Sequence, residues 1–154
     1  MFGKTRARRE FELLGLVERL GLNVPQPIVY AHRGRLFYQT WLVTRQIPQS
    51  MSLARLSLQD EKKAGIAMQS VIEQISSLIQ NHILHVDLHP GNVVVDRFGK
   101  VYLLDFDKGR VYRGNRQKLK NRYRARWQRA VDKHALPKFL SEMMQVSLKK
   151  VQNI

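Results

Sequence analysis

Two acidic residues and an asparagine stand at the ends of a short strand–turn–strand pattern in the middle of the chain. The pattern predicts two apolar strands, Asn92–Asp96 and Lys100–Leu104, joined by the tight turn between them. Asp87 precedes the first strand, and Asp105 directly follows the second. Because an antiparallel hairpin brings its two open ends together, we expect Asp87, Asn92 and Asp105 to converge at one edge.

These three side chains have the chemistry that phosphoryl transfer from a magnesium nucleotide requires. One carboxylate is needed to accept a proton from the attacking hydroxyl. An asparagine and a second carboxylate can hold a hard cation such as Mg²⁺ through oxygen. The hairpin therefore predicts a site for a metal-bound nucleotide and an acceptor hydroxyl.

The spacing H-x-D-x-x-x-x-N followed by D-F resembles the catalytic and metal-binding loops of the protein-kinase-like superfamily. The resemblance implies that Asp87 is the base that orients and deprotonates the acceptor hydroxyl. It also implies that Asn92 and Asp105 ligate Mg²⁺ at the phosphates of ATP. His85 would brace the Asp105-Phe106 turn rather than act as a base, and Phe106 would pack beneath the loop.

The residues around these motifs narrow the resemblance. The run D-L-H-P-G-N is similar to that of aminoglycoside phosphotransferases and ABC1-type atypical kinases. The run D-F-D-K-G, with Asp107 where the superfamily usually has glycine, resembles the bacterial lipopolysaccharide core kinases, above all the 3-deoxy-D-manno-octulosonic acid (Kdo) kinases. The stretches TRARREFELLGLVERLGLNVPQPIVYA and LVTRQIPQSMSL also look like that group. This likeness runs from about Thr5 to the helix near Leu140.

The family implies an α+β, protein-kinase-like fold and a defined reaction. Residues 1–48 would be a remnant of the small lobe, and residues 49–154 a helical large lobe carrying the hairpin. The reaction would move the terminal phosphate of ATP to a sugar hydroxyl of the lipopolysaccharide inner core. The acceptor, Kdo-lipid A, is an anionic glycolipid, so we expect a peripheral protein on the cytoplasmic face of the inner membrane.

Residues near the N-terminus would contact the nucleotide. In the family frame, Glu10 matches the helix glutamate that pairs with a strand lysine, although a solvated helix carboxylate is the other interpretation. The segment from Thr44 through Arg45, Gln46 and Ile47 matches the hinge, with Thr44 behind the adenine pocket and the following backbone at the adenine edge. The alternative there is a plain strand end.

No residue upstream of Glu10 can be its lysine partner, and no G-x-G-x-x-G loop is present. We therefore expect an N-terminally truncated or degenerate chain that is a poor enzyme or none. It would also leave apolar surface uncovered on its first helix and on its first two strands, which invites aggregation.

Apolar periodicity and turn residues predict the remaining elements. Thr5 caps a first helix that Gly21 stops. The other predicted elements are strands at 28–31 and 36–44 around a turn at 33–35, a short helical turn at 53–56, a long helix at 60–81, a basic helix at 117–130 and a last helix from Pro137.

Composition excludes several classes of protein. The 154 residues contain no cysteine, so disulfides and thiolate chemistry are absent. No apolar run approaches the ~18 residues that a membrane-spanning helix needs. With 44% hydrophobic residues, the chain should form one core.

The formal net charge is +15, and the segment from Lys108 to Arg129 holds ten basic residues and no acid. Such a field favours polyanions, and the alternative is a solvated helix face. The spacing of Tyr123 and Trp127 suits core packing better than stacking on nucleic acid, which makes nucleic acid an unlikely partner. The residues expected to contact the anionic glycolipid are Lys108, Arg110, Arg113 and Arg116.

Three alternatives remain open from the sequence. The first is another small-molecule or atypical kinase of the same fold. The second is a catalytically silent binding module that keeps the fold and the basic face. The third, a nucleic-acid binder, would show steep salt dependence and no effect of magnesium nucleotide.

Overall fold

The computed structural model describes residues 5–34 and 39–150, with five α-helices and seven short strands in this part of the chain. The elements are, in order, α1 (Arg6–Arg19), β1 (Pro27–Arg33), β2 (Gln39–Thr44), β3 (Met51–Ser52), α2 (Leu53–Gln59), α3 (Glu61–Gln80), β4 (Ile83–Leu84), β5 (Val93–Val95), β6 (Val101–Leu103), β7 (Arg110–Val111), α4 (Arg116–Lys133) and α5 (Phe139–Lys150). A single 3₁₀ turn, Pro90–Asn92, precedes β5.

Helix α1 begins and ends where the sequence predicts. The Thr5 hydroxyl accepts a hydrogen bond from the Arg8 N–H, which satisfies one of the helix's free donors. At the other end Gly21 has a φ of 81°, and its N–H donates to the Glu18 carbonyl. Ala7, Leu13, Leu14 and Val17 of α1 are buried, so the expectation of uncovered apolar surface is wrong for most of this helix. It holds just beyond its end, where Leu20 is exposed.

Strands β1 and β2 form an antiparallel hairpin beside α1. Tyr30 pairs with Leu42 on the inner face, and its ring lies 5.2 Å from that of Phe11 in α1. The outer face is apolar and open, with exposed fractions of 46–55%, which confirms the expected exposed surface on these strands; it carries Ile28, Val29, Trp41 and Val43. Residues 36–38 of the predicted second strand, and Arg35 of the predicted turn, lie outside the described residues.

Helix α3 is the central packing element. Asp60 caps it by accepting from the Lys63 N–H, and its apolar stripe is buried as the periodicity predicts. The buried Gln74 amide on this helix joins two other segments. Its oxygen accepts from the Asn23 N–H at 3.0 Å, and its nitrogen donates to the Val101 carbonyl at 3.1 Å. The Asn23 carbonyl in turn accepts from the Leu103 N–H at 2.9 Å.

Strands β3, β5 and β6 form an antiparallel sheet on α2 and α3. The predicted hairpin is present, with Val94 opposite Tyr102. Its turn is fixed by the Asp96 carboxylate, which accepts from the N–H groups of Phe98 and Lys100, and by Gly99 at a φ of 82°.

Helices α4 and α5 close the far side of the core. Trp127 is fully buried, and its Nε1 donates to the Leu140 carbonyl at 3.0 Å. Tyr123 is also buried, so these two rings pack in the core, as their spacing indicates. The last helix begins at Phe139, two residues after the predicted start. No helix within the described ranges has the length and apolarity needed to cross a bilayer.

Candidate active site at the open end of the β5–β6 hairpin

His85 ties the two ends of the hairpin together from below. Its Nε2 lies 2.7 Å from the Leu104 carbonyl, and its ring packs 4.4 Å from the buried Phe106 ring. Burial lowers the pKa of His85 to about 4, against which the bond to Leu104 acts only partly. The imidazole is therefore neutral at pH 7, and it donates its Nε2 proton to that carbonyl. This geometry suits a brace rather than a base.

Asn92 links the catalytic-loop backbone to the second strand. Its amide nitrogen donates to the Asp87 carbonyl at 3.0 Å, and its own carbonyl accepts from the Leu104 N–H at 2.9 Å. Asp105 is the next residue after Leu104. The segments that carry Asp87, Asn92 and Asp105 thus come together as predicted, and the Asn92 side-chain oxygen has no hydrogen bond among the described residues.

Asp87 has a partner that the sequence did not reveal. Its Oδ1 accepts from Arg126 Nε at 2.8 Å and from Arg126 Nη2 at 2.5 Å. Burial alone would raise the pKa of Asp87, but this arginine holds it below its ordinary value. Arg126 was one of ten basic residues in a run, and only the way α4 packs selects it.

Asp105 occupies a conformation that side chains rarely adopt, with a φ of 61°. Such backbone strain is concentrated at functional sites. The next acidic residue, Asp107, makes a two-point ion pair with Arg6 of α1.

Glu10 of α1 lies near both acids. Its pKa is raised to about 7, first by burial and then by the charges of Asp107 and Asp105, while Arg6 acts in the opposite direction. Three carboxylates thus share one arginine, and the negative charge left over favours a cation at this end of the hairpin.

The oxygen donors at the hairpin fit a magnesium nucleotide better than a metal held by protein alone. Among residues 5–34 and 39–150, no group of three or more histidine, aspartate or glutamate side chains could hold an ion. Asn92 and Asp105 supply one amide and one carboxylate oxygen. Mg²⁺ commonly takes one or two such ligands and completes its shell with water and phosphate oxygens.

Gly109 lets α1 approach this site closely. A Cβ at this position would fall on the Leu13 side chain of α1 and 2.9 Å from the Phe106 carbonyl. The Gly109 N–H donates to that same carbonyl in a tight turn at 2.8 Å. Helix α1 is therefore packed directly against the segment that carries Asp105 and Asp107.

The predicted hinge borders a small cavity of about 190 Å³, which Tyr102 of β6 also lines. The Arg45 N–H is already used by the Gln26 carbonyl at 2.9 Å, and the Ile47 carbonyl accepts from the Ser50 hydroxyl at 3.0 Å. The other backbone groups of this segment, among them the Arg45 carbonyl and the Ile47 N–H, have no hydrogen bond among the described residues. Gln46 also lines the cavity, whereas half-buried Thr44 pairs with Pro27 and lies outside its lining.

A larger cavity of about 470 Å³ lies at the opposite, turn end of the hairpin, where Phe98 and Gly99 line it. It contains none of the predicted site residues. We attach no catalytic role to it.

Packing exposes some side chains of the basic segment from Lys108 to Arg129 and buries others. Lys108, Arg110, Arg113 and Arg116 are exposed, and Arg116 also donates to the Gln80 carbonyl at 3.1 Å. Lys120 is buried, and burial lowers its pKa. The four residues predicted to meet an anionic ligand are thus accessible, but the structure does not join them to Asp87 by any hydrogen bond among the described residues.

Comparisons with known proteins show which family this chain resembles over most of its length. The model of the "Lipopolysaccharide kinase (Kdo/WaaP) family" matches residues 1–139. The 3-deoxy-D-manno-octulosonic acid kinase of Vibrio vulnificus (strain CMCP6) is 32% identical over 118 residues, covering 76% of this chain and 50% of that protein. The corresponding kinase of Vibrio cholerae is 30% identical over 119 residues, covering 77% and 50%. The chain spans about half the length of these curated relatives.

A solved structure supports the fold independently. The crystal structure of the yeast RNA Pol II CTD kinase CTDK-1 complex contains a chain with a TM-score of 0.54 and 19% identity. The match covers 73% of this chain and 36% of that one. At this identity the likeness concerns the protein-kinase-like fold alone.

Proposed function

This chain belongs to the lipopolysaccharide kinase (Kdo/WaaP) family, and from that membership we propose that it acts in phosphate transfer from ATP to a hydroxyl of Kdo in the lipopolysaccharide inner core. The observation that supports the proposal most strongly is the hydrogen-bonded open end of the β5–β6 hairpin. Asp87, Asn92 and Asp105 lie together there over the buried His85–Phe106 pair. Phosphoryl transfer is mostly positioning and charge neutralisation, and these groups supply both.

Each residue then has one task. Asp87, ionised at pH 7, orients the acceptor hydroxyl and receives its proton. The free oxygens of Asn92 and Asp105 would hold Mg²⁺, whose charge would offset that of the phosphates. His85 and Phe106 fix the backbone from which Asp105 projects, and Asp107 anchors that backbone to α1 through Arg6.

The nucleotide base would enter the small cavity at the hinge. The Arg45 carbonyl and Ile47 N–H offer the acceptor and donor that an adenine edge pairs with, while Gln46 and Tyr102 line the space. Glu10 would face the phosphate side, where burial and then the charges of Asp107 and Asp105 raise its pKa. In this proposal residues 1–48 belong to the small lobe and residues 49–154 to the large lobe.

The acceptor would be Kdo-lipid A at the cytoplasmic face of the inner membrane. Exposed cations at Lys108, Arg110, Arg113 and Arg116 would meet its acidic groups and the anionic membrane surface. This assigns the protein a peripheral location.

The test is Asp87→Asn, which preserves shape but cannot take a proton. ATP-dependent phosphorylation of Kdo-lipid A should fall by roughly 10²-fold or more, with unchanged circular dichroism. Asp132→Asn, an exposed carboxylate on α4, is the matched control and should keep full activity. Turnover of the Asp87 variant at the wild-type rate would remove Asp87 from the mechanism.

One observation favours a catalytically silent binding module as the second candidate. Within the described residues, Glu10 has no lysine partner, so the usual clamp on the nucleotide phosphates is not assembled there. Magnesium-dependent ATP binding without phosphate transfer to Kdo-lipid A would support this candidate over the kinase.

A further inference from the structure

The contact between Arg126 and Asp87 leaves half of each side chain unused. Both arginine nitrogens donate to Oδ1 alone, so Oδ2 of Asp87 and Nη1 of Arg126 have no hydrogen bond among the described residues. The Asp87 side chain is 48% exposed and that of Arg126 27%. A ligand can therefore meet both groups at once.

One histidine, His89, stands beside this pair. His89 accepts from the Gly91 N–H through Nδ1 at 3.0 Å, which leaves Nε2–H as a donor. Gly91 is needed for this ring position, because a Cβ there would lie 2.8 Å from the ring. The pKa of His89 is lowered by burial and by the charge of Arg126, while the charge of Asp87 acts in the opposite direction, so His89 lies near both members of the pair.

We propose that Arg126, with His89, forms a subsite for the carboxylate of the acceptor sugar, next to the oxygen of Asp87 that meets its hydroxyl. This rests on the proposed function and names the chemistry that selects its acceptor. A guanidinium with one free edge suits a carboxylate. Since the two unused atoms lie on adjoining side chains, a small sugar acid that carries both the acidic group and the reactive hydroxyl can reach both of them at once.

The first experiment measures binding to the full 154-residue chain without ATP. Free Kdo is titrated against its methyl ester, which lacks the charge, and the Arg126 Nε–H signal is followed by NMR. We expect the acid to bind about ten-fold more tightly than the ester and to shift this signal, as a charge-assisted bond of this kind implies.

Variants distinguish binding at this subsite from unspecific attraction to the protein's positive charge. Arg126→Gln should bring the acid-to-ester ratio close to one, and Arg126→Lys should restore part of it. Arg124→Gln is the matched control, because Arg124 lies on the same helix but bonds Gln145 of α5, and it should leave the ratio unchanged. No binding of Kdo, an unchanged ratio in Arg126→Gln, or an equal loss in Arg124→Gln would overturn the proposal.

A second arm distinguishes carboxylate from phosphate recognition. Mannose 6-phosphate should bind more weakly than Kdo and with less dependence on Arg126. Tighter, Arg126-dependent binding of the phosphate sugar would overturn the assignment to a carboxylate.

The results also distinguish a failure of the proposed kinase function from a failure of the proposed subsite. If no phosphate is transferred from ATP to Kdo-lipid A, but the acid-to-ester ratio still depends on Arg126, the subsite stands and the transfer reaction does not. If transfer occurs and Arg126→Gln leaves the KM for the acceptor unchanged, the reaction stands and the subsite is refuted.

Discussion

At the scale of single residues, Asp105 combines a strained backbone with an exposed acidic side chain. A φ of 61° is costly for any residue with a Cβ and free of that cost for glycine. Nothing in the local packing requires a carboxylate there, since Asp105 makes no hydrogen bond from its side chain among the described contacts. If Asp105 binds a metal-bound nucleotide, as we propose, ligand binding would explain why the strain is retained.

We expect Asp105→Gly to keep or raise the melting temperature, by the equivalent of about 1 kcal/mol or less, since strain is relieved while chain entropy opposes it. The same change should abolish the magnesium dependence of nucleotide binding. Calorimetric ATP titrations with and without Mg²⁺ check this. Asn92→Ala should likewise reduce the magnesium dependence of nucleotide binding. An unchanged magnesium dependence would mean that Asp105 is not a ligand.

The raised pKa of Glu10 leads to a prediction about how stability depends on pH. Its pKa in the folded protein is about 7, above the ordinary 4.5, so the folded chain binds more protons than the unfolded chain between these values. Its contribution to the free energy of unfolding therefore falls as pH rises through this window. Replacing Glu10 with glutamine should raise stability at pH 8 and remove this part of the slope.

The measurement is urea denaturation of both chains between about pH 5 and 8, which spans this window. In the acidic part of this range His85 acts in the opposite direction, but equally in both chains, so it cancels in their difference. Its pKa is lowered to about 4, so acidification through 6.5 favours the unfolded state. A wild-type-minus-variant difference that does not change with pH would contradict the assignment of this pKa to Glu10.

At the scale of elements, two helices end in the same motif with different residues. After α1, Gly21 takes the left-handed position, and the Leu22 N–H bonds back to Val17. After α4, Ala135 takes the equivalent position at a φ of 48°, and the Leu136 N–H bonds back to Val131. Glycine is the usual residue at this position because it has no Cβ.

We therefore predict that Ala135→Gly stabilises the protein by about 1 kcal/mol and that Gly21→Ala destabilises it by a similar amount. Urea denaturation with a common slope checks both. The two variants serve as each other's control, since each changes only one methyl group. If both variants were more stable than the wild type, or both less stable, the left-handed backbone positions would not govern stability here.

The contact between Gly109 and Leu13 couples α1 to the active-site segment. Gly109→Ala should destabilise the protein by roughly 1–3 kcal/mol because the new methyl group overpacks against Leu13 and the Phe106 carbonyl. In a Leu13→Ala background the cost should shrink. A double-mutant cycle measured by denaturation gives the coupling, and additive effects would show that the two residues do not meet.

The same scale shows what the sequence could and could not provide. The apolar stripe of α3 and the Asp96–Gly99 turn are local signals, so the long helix and the hairpin are predicted well. Strands β3, β4 and β7 have two residues each, and their pairing depends on segments far apart in the chain. The ion pair of Arg126 with Asp87 spans 39 positions and follows from the packing of α4, which no local pattern encodes.

At the scale of the whole molecule, the basic residues behind the net charge of +15 differ in how far they are exposed to solvent. Arg126 and Lys120 are partly or fully buried, whereas the four residues assigned to the glycolipid are exposed. Long-range attraction to an anionic surface depends mainly on exposed charge and is screened by salt.

We predict binding to vesicles that contain anionic lipid, weakening steeply between 50 and ~500 mM salt as the Debye length shortens. Neutralising Lys108, Arg110, Arg113 and Arg116 to glutamine should weaken it by more than ten-fold, at about 1 kcal/mol for each charge. The matched control neutralises four exposed cations on other elements: Arg19, Arg55, Lys62 and Lys138. Co-sedimentation measures both, and equal losses would mean that net charge alone governs the attraction.

The hydrogen bond from Leu103 to Asn23 has a consequence for solubility. Strand β6 is an outer strand of its sheet, and a free outer strand offers its backbone as a template on which another chain can add. The Asn23 carbonyl occupies one of those open donors, and Gln74 holds Asn23 in place. Gln74→Leu would release this short cover, so a protein that still folds and binds nucleotide should nevertheless form fibrillar aggregates more readily on storage.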